Sequence, residues 1–321
     1  MIPTPLHLDL AGERWEVGVP ERWLPRFRVA FGHLAATEDR EPSVRVLTRL
    51  EPTPEEADWA TTLVAKIPDE DGIAAVENEA GRARVSRMSL ESWDVRSGSG
   101  QSVLLDPVFE SKYLGTNLLL NQIAWRAQSR GLVPVHAAAI GDGEGFWLIP
   151  AAAGQGKSTT TAAAVAGGLR VLSDDFVLLD PKRRVLHSLY ATIRLAPGSR
   201  RMIEEQFGAH SLDVVASRED DKLLLTPGPA TSAFARCGTL KGILLLERTG
   251  VVRLGEVASP ARALQAFSST LRLLPTLGYP APVAFRAFAE VTRSVEARVL
   301  ETGPDLHALV RCLAALFAGV A

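Results

Sequence analysis

Three groups of residues in this 321-residue chain could do chemistry together. The first is Ala151-Ala152-Ala153-Gly154-Gln155-Gly156-Lys157-Ser158, which follows G-x-x-x-x-G-K-[ST] at every position but the first. Gly154 and Gly156 let the backbone turn its N–H groups inward around phosphate oxygens. Lys157 supplies a point charge for the β- and γ-phosphates, and the Ser158 hydroxyl can ligate magnesium. Ala152, Ala153, Gly154, Gln155, Gly156, Lys157, Ser158 and Thr159 are therefore predicted to hold the phosphates of ATP, with Mg2+ at Ser158. Ala151 stands where the first glycine belongs. It is harmless there if its φ is negative and strains the loop if not.

The second group is Asp174-Asp175, one helix and a short turn beyond Ser158. Two adjacent carboxylates allow two jobs: one supports the metal, the other accepts a proton from an attacking hydroxyl. A pair serving metal alone, as in an ATPase, and a solvated acidic turn are the alternatives. Neighbours in a strand point to opposite sides, so the two should not share one role. The third group is His136. Pairing about Gly143 sets it opposite Pro150, the last residue before the loop. There it could contact a transferring phosphoryl group or orient an aspartate; a plain strand histidine is the alternative.

The elements around these residues read as an α/β domain. Strands are predicted at Val133–Ile140 and Phe146–Pro150, with a tight turn at Gly141–Gly145 between them. The alanine-rich helix Lys157–Ala166 follows, then a strand Leu169–Leu179 returning parallel to Phe146–Pro150. In such sheets ligands sit beyond the carboxyl ends of the strands, which brings the aspartates beside the loop. Later strands fall at Leu240–Glu247, Val251–Val257 and Ala297–Glu301, and helices at Pro260–Leu273, Ala281–Val291 and Pro304–Ala318. Upstream, Leu114, Leu118, Leu119 and Ile123 recur at helical spacing, giving one helix from Pro107 to Ser129 with Gly131 as its cap.

The first third reads as β-rich. A hairpin joins Leu6–Leu10 to Arg14–Val19, and strands follow at Ser43–Leu50, Gly72–Glu77, Arg82–Ser89 and Ser102–Leu105. It carries no catalytic motif, so two domains are expected, 1–105 and 106–321. Composition narrows the class further. With 46% hydrophobic and 22% charged residues the chain can fold around a sizeable core. A net charge of −2 gives no sign of an electrostatic nucleic-acid binder. No apolar run is long enough for a membrane span, and Met1–Leu10 does not read as a signal peptide, so a cytoplasmic protein is expected. Cys237 and Cys312, far apart, read as two buried thiols.

Val135-His136-Ala137-Ala138-Ala139, the glycine loop and Leu172-Ser173-Asp174-Asp175 occur in that order with close spacing. The set resembles the catalytic domain of HPr kinase/phosphorylase and the wider HPr-kinase-like serine kinases, well over Gly131 to Gly208 and in outline beyond. The resemblance implies a fold like that of phosphoenolpyruvate carboxykinase, not of adenylate kinase. It implies a general base acting on a substrate serine, carried onto Asp174, and magnesium support, carried onto Asp175, with the reverse order as the alternative, and phosphate-site support from His136. The family's E-I-R-G-L-G stretch, linked to its phosphorylase reaction, is matched best by Thr192-Ile193-Arg194-Leu195-Ala196-Pro197. Arg194 fits as a phosphate contact, but Thr192 replaces the acidic residue and the glycines are absent, which argues against the reverse reaction. Short relatives beside peptide-modification genes phosphorylate a serine of a ribosomally made peptide, and an added β-rich module would suit docking of such a substrate.

The leading expectation is thus an ATP–Mg2+-dependent serine kinase with Asp174, His136 and Lys157 as catalytic residues. Its partners would be a serine-bearing peptide or small protein and a second copy of itself, with neither nucleic acid nor membrane. A small-molecule hydroxyl kinase and a nucleotide-binding regulator without transfer activity are the rivals.

Overall fold

A computed structural model describes residues 3–38, 40–65, 74–77, 81–86, 88–115, 117–143, 145–152, 154–208, 213–219, 222–226 and 233–319. The chain packs as two units, Met1–Arg130 with Thr276–Tyr279, and Gly131–Pro275 with Pro280–Ala321.

The first unit opens with a hairpin of β1 (Thr4–Leu10) and β2 (Glu13–Val19), closed by Ala11 and Gly12 at φ 51 and 80. Two consecutive positive φ values match the right-handed twist of the flanking strands. Helix α1 (Leu24–Phe31) buries Phe27 and Phe31, and β3 (Val44–Arg49) and α2 (Pro54–Val64) follow. Next come β4 (Ala74–Glu77), β5 (Gly81–Val85), β6 (Ser89–Asp94) and β7 (Ser99–Leu104). Residues 72 and 73 of the expected fourth strand lie outside the described residues. The seven strands run β1-β2-β3-β7-β6-β5-β4, antiparallel except where β3 meets β2 and β7.

The expected strand Arg82–Ser89 is two strands, because the Ser86 hydroxyl accepts from the Ser89 N–H at 3.1 Å and closes a turn. The expected helix Pro107–Ser129 is also broken, into α3 (Glu110–Gly115) and α4 (Leu120–Ser129). The Asn117 carbonyl accepts from Leu120 N–H at 3.1 Å, with Leu119 held at φ 61. Both helices belong to the first unit: Gln122 of α4 donates to the Gln101 carbonyl at 2.9 Å.

The second unit is built on β8 (Val133–Gly141), buried at every position but His136, and β9 (Phe146–Pro150), buried throughout. Continuous apolar runs of this kind mark strands covered on both faces. Helix α5 (Lys157–Ala166) follows the loop, then β10 (Arg170–Ser173), β11 (Phe176–Asp180) and β12 (Val185–Ser188). A small sheet of β13 (Ile193–Leu195), β14 (Asp213–Glu219) and β15 (Lys222–Thr226) surrounds α6 (Pro197–Phe207) in sequence. The chain then adds β16 (Cys237–Arg248), β17 (Arg253–Val257), α7 (Pro260–Ala266), α8 (Ser268–Leu273), α9 (Ala281–Ser294), β18 (Glu296–Thr302) and α10 (Leu306–Phe317). Ala162–Val165 of α5 and Leu309 and Leu313 of α10 share one core with Ala138, Ile140 and Ile149 of the sheet. The two helices approach closely at Gly167, where a Cβ would stand 2.5 Å from Val310 Cγ1.

Two strand expectations change. β8 pairs with β9 so that Ala137, not His136, faces Pro150. Gly141 pairs with Phe146, so the hairpin is centred between residues 143 and 144 and not on Gly143. The expected strand Leu169–Leu179 is β10 and β11, interrupted at Asp174 and Asp175. Like β9, both run antiparallel to β8. Ala139 and Ile140 pair with β10 and β9 at once, so β8 lies between them and the crossover from β9 passes over it. Cys237 is exposed, because it opens β16 at the edge of its pairing with β12.

Candidate active site

The phosphate loop leaves β9 at Pro150 and ends in α5. Gly154 and Gly156 have φ of 82 and 98, a conformation that a side chain would strain. Nothing lies within 4 Å of a Cβ built on either, so the demand for glycine is conformational and not one of space. Ala151 has no positive φ; among described non-glycine residues only Ala11, Leu119 and Arg184 do. The alanine in place of the first glycine therefore causes no strain. Gly156 is the N-cap of α5 and no side chain caps the helix. Its first N–H groups and the positive end of its dipole suit an anion. Gln155 Oε1 accepts from Ala152 N–H at 3.1 Å and braces the loop. Lys157 is buried, and its Nζ donates to the Ala151 carbonyl. Thr159 donates to the Ser199 hydroxyl at 2.9 Å, tying the first turn of α5 to that of α6. Ala153 lies outside the described residues.

The break between β10 and β11 sends the two aspartates into different surroundings. Asp174 is 2% exposed. Its Oδ2 accepts from Arg194 N–H at 3.1 Å, while Oδ1 is buried with no donor in hydrogen-bonding geometry. Burial first, and the adjacent Asp175 charge second, push its pKa up to about 6. The hydroxyls of Ser158 and Thr161 and the Arg194 N–H pull the other way and are outweighed. Those hydroxyls stand close enough to favour the ionised form without donating to Oδ1 in good geometry.

Asp175 is more open, with 23% of its side chain exposed. His136 Nε2 lies 2.9 Å from Oδ1, and Arg194 Nη1 lies 3.9 Å from Oδ2. The imidazole also packs on Phe176 at a ring separation of 5.2 Å. Arg194, in β13, thus serves both carboxylates, one through its backbone and the other through its guanidinium.

The structure therefore brings His136, Asp175 and Arg194 together, and sets Asp174 among Arg194, Ser158 and Thr161. The sequence reading missed Thr161 and Phe176. Thr161 was findable, since it lies one turn from Ser158 on the same face of a helix. A buried carboxylate oxygen without a donor, beside a phosphate-loop serine, fits Mg2+, which takes one or two carboxylates and completes its shell with phosphates and water. Among the described residues no cluster of three or more His, Cys, Asp or Glu could hold a metal alone. No described helix is long and apolar enough to cross a membrane.

No family model matches the chain, and neither does any curated protein. Among solved structures, the Hpr(Ser) kinase/phosphatase from Coxiella burnetii aligns at 12% identity over 58% of this chain and 98% of its own, with a TM-score of 0.29. A likeness that loose carries no argument about fold or activity.

Proposed function

We propose that the second unit is a phosphate-loop kinase domain of the phosphoenolpyruvate-carboxykinase type. It would transfer the γ-phosphoryl group of ATP to a hydroxyl, with a serine of a peptide or small protein as acceptor. The observation that carries this is the divergence of two adjacent carboxylates, one turned to the phosphate-loop serine and the other to a histidine and an arginine. An ATPase needs the first environment; the second suits a group that takes a proton from a second substrate.

The α5 N-terminus and Lys157 would take the phosphate oxygens, Lys157 exchanging its bond to Ala151 for one to the nucleotide. Ser158 and Asp174 would hold the Mg2+ that arrives with ATP, whose contribution is to neutralise phosphate charge. Asp175 would accept the proton of the acceptor hydroxyl, with His136 Nε2 fixing its Oδ1. This exchanges the jobs expected from the sequence, and burial is the reason. Asp174 is 2% exposed, whereas Asp175 is partly open. The first unit, without catalytic motifs, would dock the acceptor in a cytoplasmic protein.

The test is incubation with γ-labelled ATP and Mg2+, offering a serine peptide encoded beside the gene and, separately, free serine. Label should enter the peptide with the native protein and not with Lys157→Ala, which should also bind ATP more weakly. Tight ATP binding with no label in either acceptor would leave a nucleotide-binding regulator. Full activity of Lys157→Ala would remove the phosphate-loop assignment.

A further inference from the structure

β8 is bordered by β11 on one edge and by β9 on the other. β9 ends at Pro150, opposite Ala137. One more step in that register would set Ala151 opposite His136. The chain turns away instead to form the loop, and the Ala151 carbonyl accepts from Lys157. His136 is thereby left with a backbone N–H and C=O on an edge that has lost its strand. Buried backbone groups of this kind are almost always paired.

Thr270 of α8, wholly buried, fills the gap. Its Oγ1 accepts from His136 N–H at 3.2 Å and donates to His136 O at 3.4 Å. One hydroxyl thus takes the place of the strand residue that the phosphate loop removed. We infer that Thr270 is a positioning residue, holding the His136 backbone so that the imidazole meets Asp175. This rests on the reading of His136 and Asp175 as the acceptor-side pair. A β-branched side chain with a stiff χ1 suits the task. With the Phe176 ring against the imidazole and Asp175 at Nε2, Thr270 holds the His136 N–H and C=O on the edge away from β11. Small displacements in such a site matter, since about 1 Å of misplacement can lower a rate by roughly 100-fold.

The experiment compares Thr270→Val, which keeps the shape and loses the hydroxyl, with Thr270→Ser, which keeps the hydroxyl. Two quantities are read: kcat and KM for ATP in the transfer assay, and the ring N–H proton resonance of His136 in the nucleotide-free protein. Thr270→Val should lower kcat roughly 10- to 100-fold with KM for ATP within about twofold, and should broaden or abolish the resonance. Thr270→Ser should restore both. Thr270→Ala, which sets no methyl against the two backbone groups, replaces Thr270→Val if that variant does not fold. Normal kcat with an unchanged resonance in the valine variant would overturn the inference. So would a serine variant as impaired as the valine one, because packing and not the hydroxyl would then matter. If the native protein transfers no label, the kinase reading fails, while the resonance comparison still decides the role of Thr270.

Discussion

Asp174→Asn should make the nucleotide-free protein more stable at neutral and alkaline pH. The carboxylate is 2% exposed, one oxygen has no donor, and a second carboxylate is its chain neighbour. Its pKa rises from the ordinary 3.8 to about 6. At about 1.4 kcal/mol for each tenfold in acidity, the ionised group disfavours the folded state by about 3 kcal/mol. The sign follows from proton binding. Between the two values the folded chain holds the proton and the unfolded chain does not. That stabilisation is present at low pH and is lost as the pH rises through about 6. Asparagine has nearly the same shape, carries no charge and can still accept the Arg194 N–H. The variant should therefore gain up to about 3 kcal/mol at pH 8 and less than about 1 kcal/mol at pH 4. For a domain of this size the larger gain is a rise in Tm of several degrees, roughly 2–4 °C per kcal/mol. Thermal unfolding of both proteins across that pH range measures it. A variant equal to or less stable than the native protein at pH 8 would refute the reasoning. Mg–ATP should raise the Tm of the native protein more than that of the variant, since a ligand stabilises the state it binds.

Kinetics separate the two carboxylates. Asp175→Asn should lower kcat by about 10²–10⁴-fold with an unchanged magnesium requirement. Asp174→Asn should raise the magnesium concentration for half-maximal activity, an amide being a poorer ligand for a hard cation; identical defects, both rescued by excess metal, would deny that either is a base. Gly167→Ala should destabilise by about 1–3 kcal/mol through overpacking against Val310, read from denaturant unfolding, and an unchanged midpoint would mean that α10 yields there without penalty.

The pieces of the fold that were legible in the sequence carry strong local signals. The unbroken apolar run of β9 and the glycines before Lys157 marked a strand, a loop and a helix, and α5 spans Lys157–Ala166 as expected. The hairpin of β1 and β2 was equally plain, and it begins earlier and ends its turn sooner than expected, spanning Thr4–Leu10 and Glu13–Val19 around Ala11-Gly12. What was not read lacks a period. β13 has three residues, too few to show alternation, and α6 opens with Pro197-Gly198, which resembles a turn. Helices α1 and α2 sit among strands and were missed, since their burial depends on partners distant in the chain. Leu119 fits a helical stripe by type, yet its positive φ is set by the turn at Asn117 and not by its own preference.

The site was legible as a set of residue types and not as a geometry. His136 was expected at the site through β9, opposite Pro150; it reaches Asp175 across the other edge of β8, where it pairs with Phe176. A one-residue change in register turns every side chain of a strand to the other face, so hairpin length decides such questions and sequence does not state it. A split between the aspartates was expected from strand alternation, but they lie in the break between β10 and β11, and it is the break that separates them. Which one is buried was not legible, since that follows from Arg194 in a strand too short to see. That arginine explains why the pair can exist at all. Two adjacent carboxylates repel, and here a single residue gives one a neutral donor and the other a cation. One carboxylate of the pair is thus buried and the other partly open. Of the two, Asp175 is the more accessible, as a proton acceptor for an incoming hydroxyl must be.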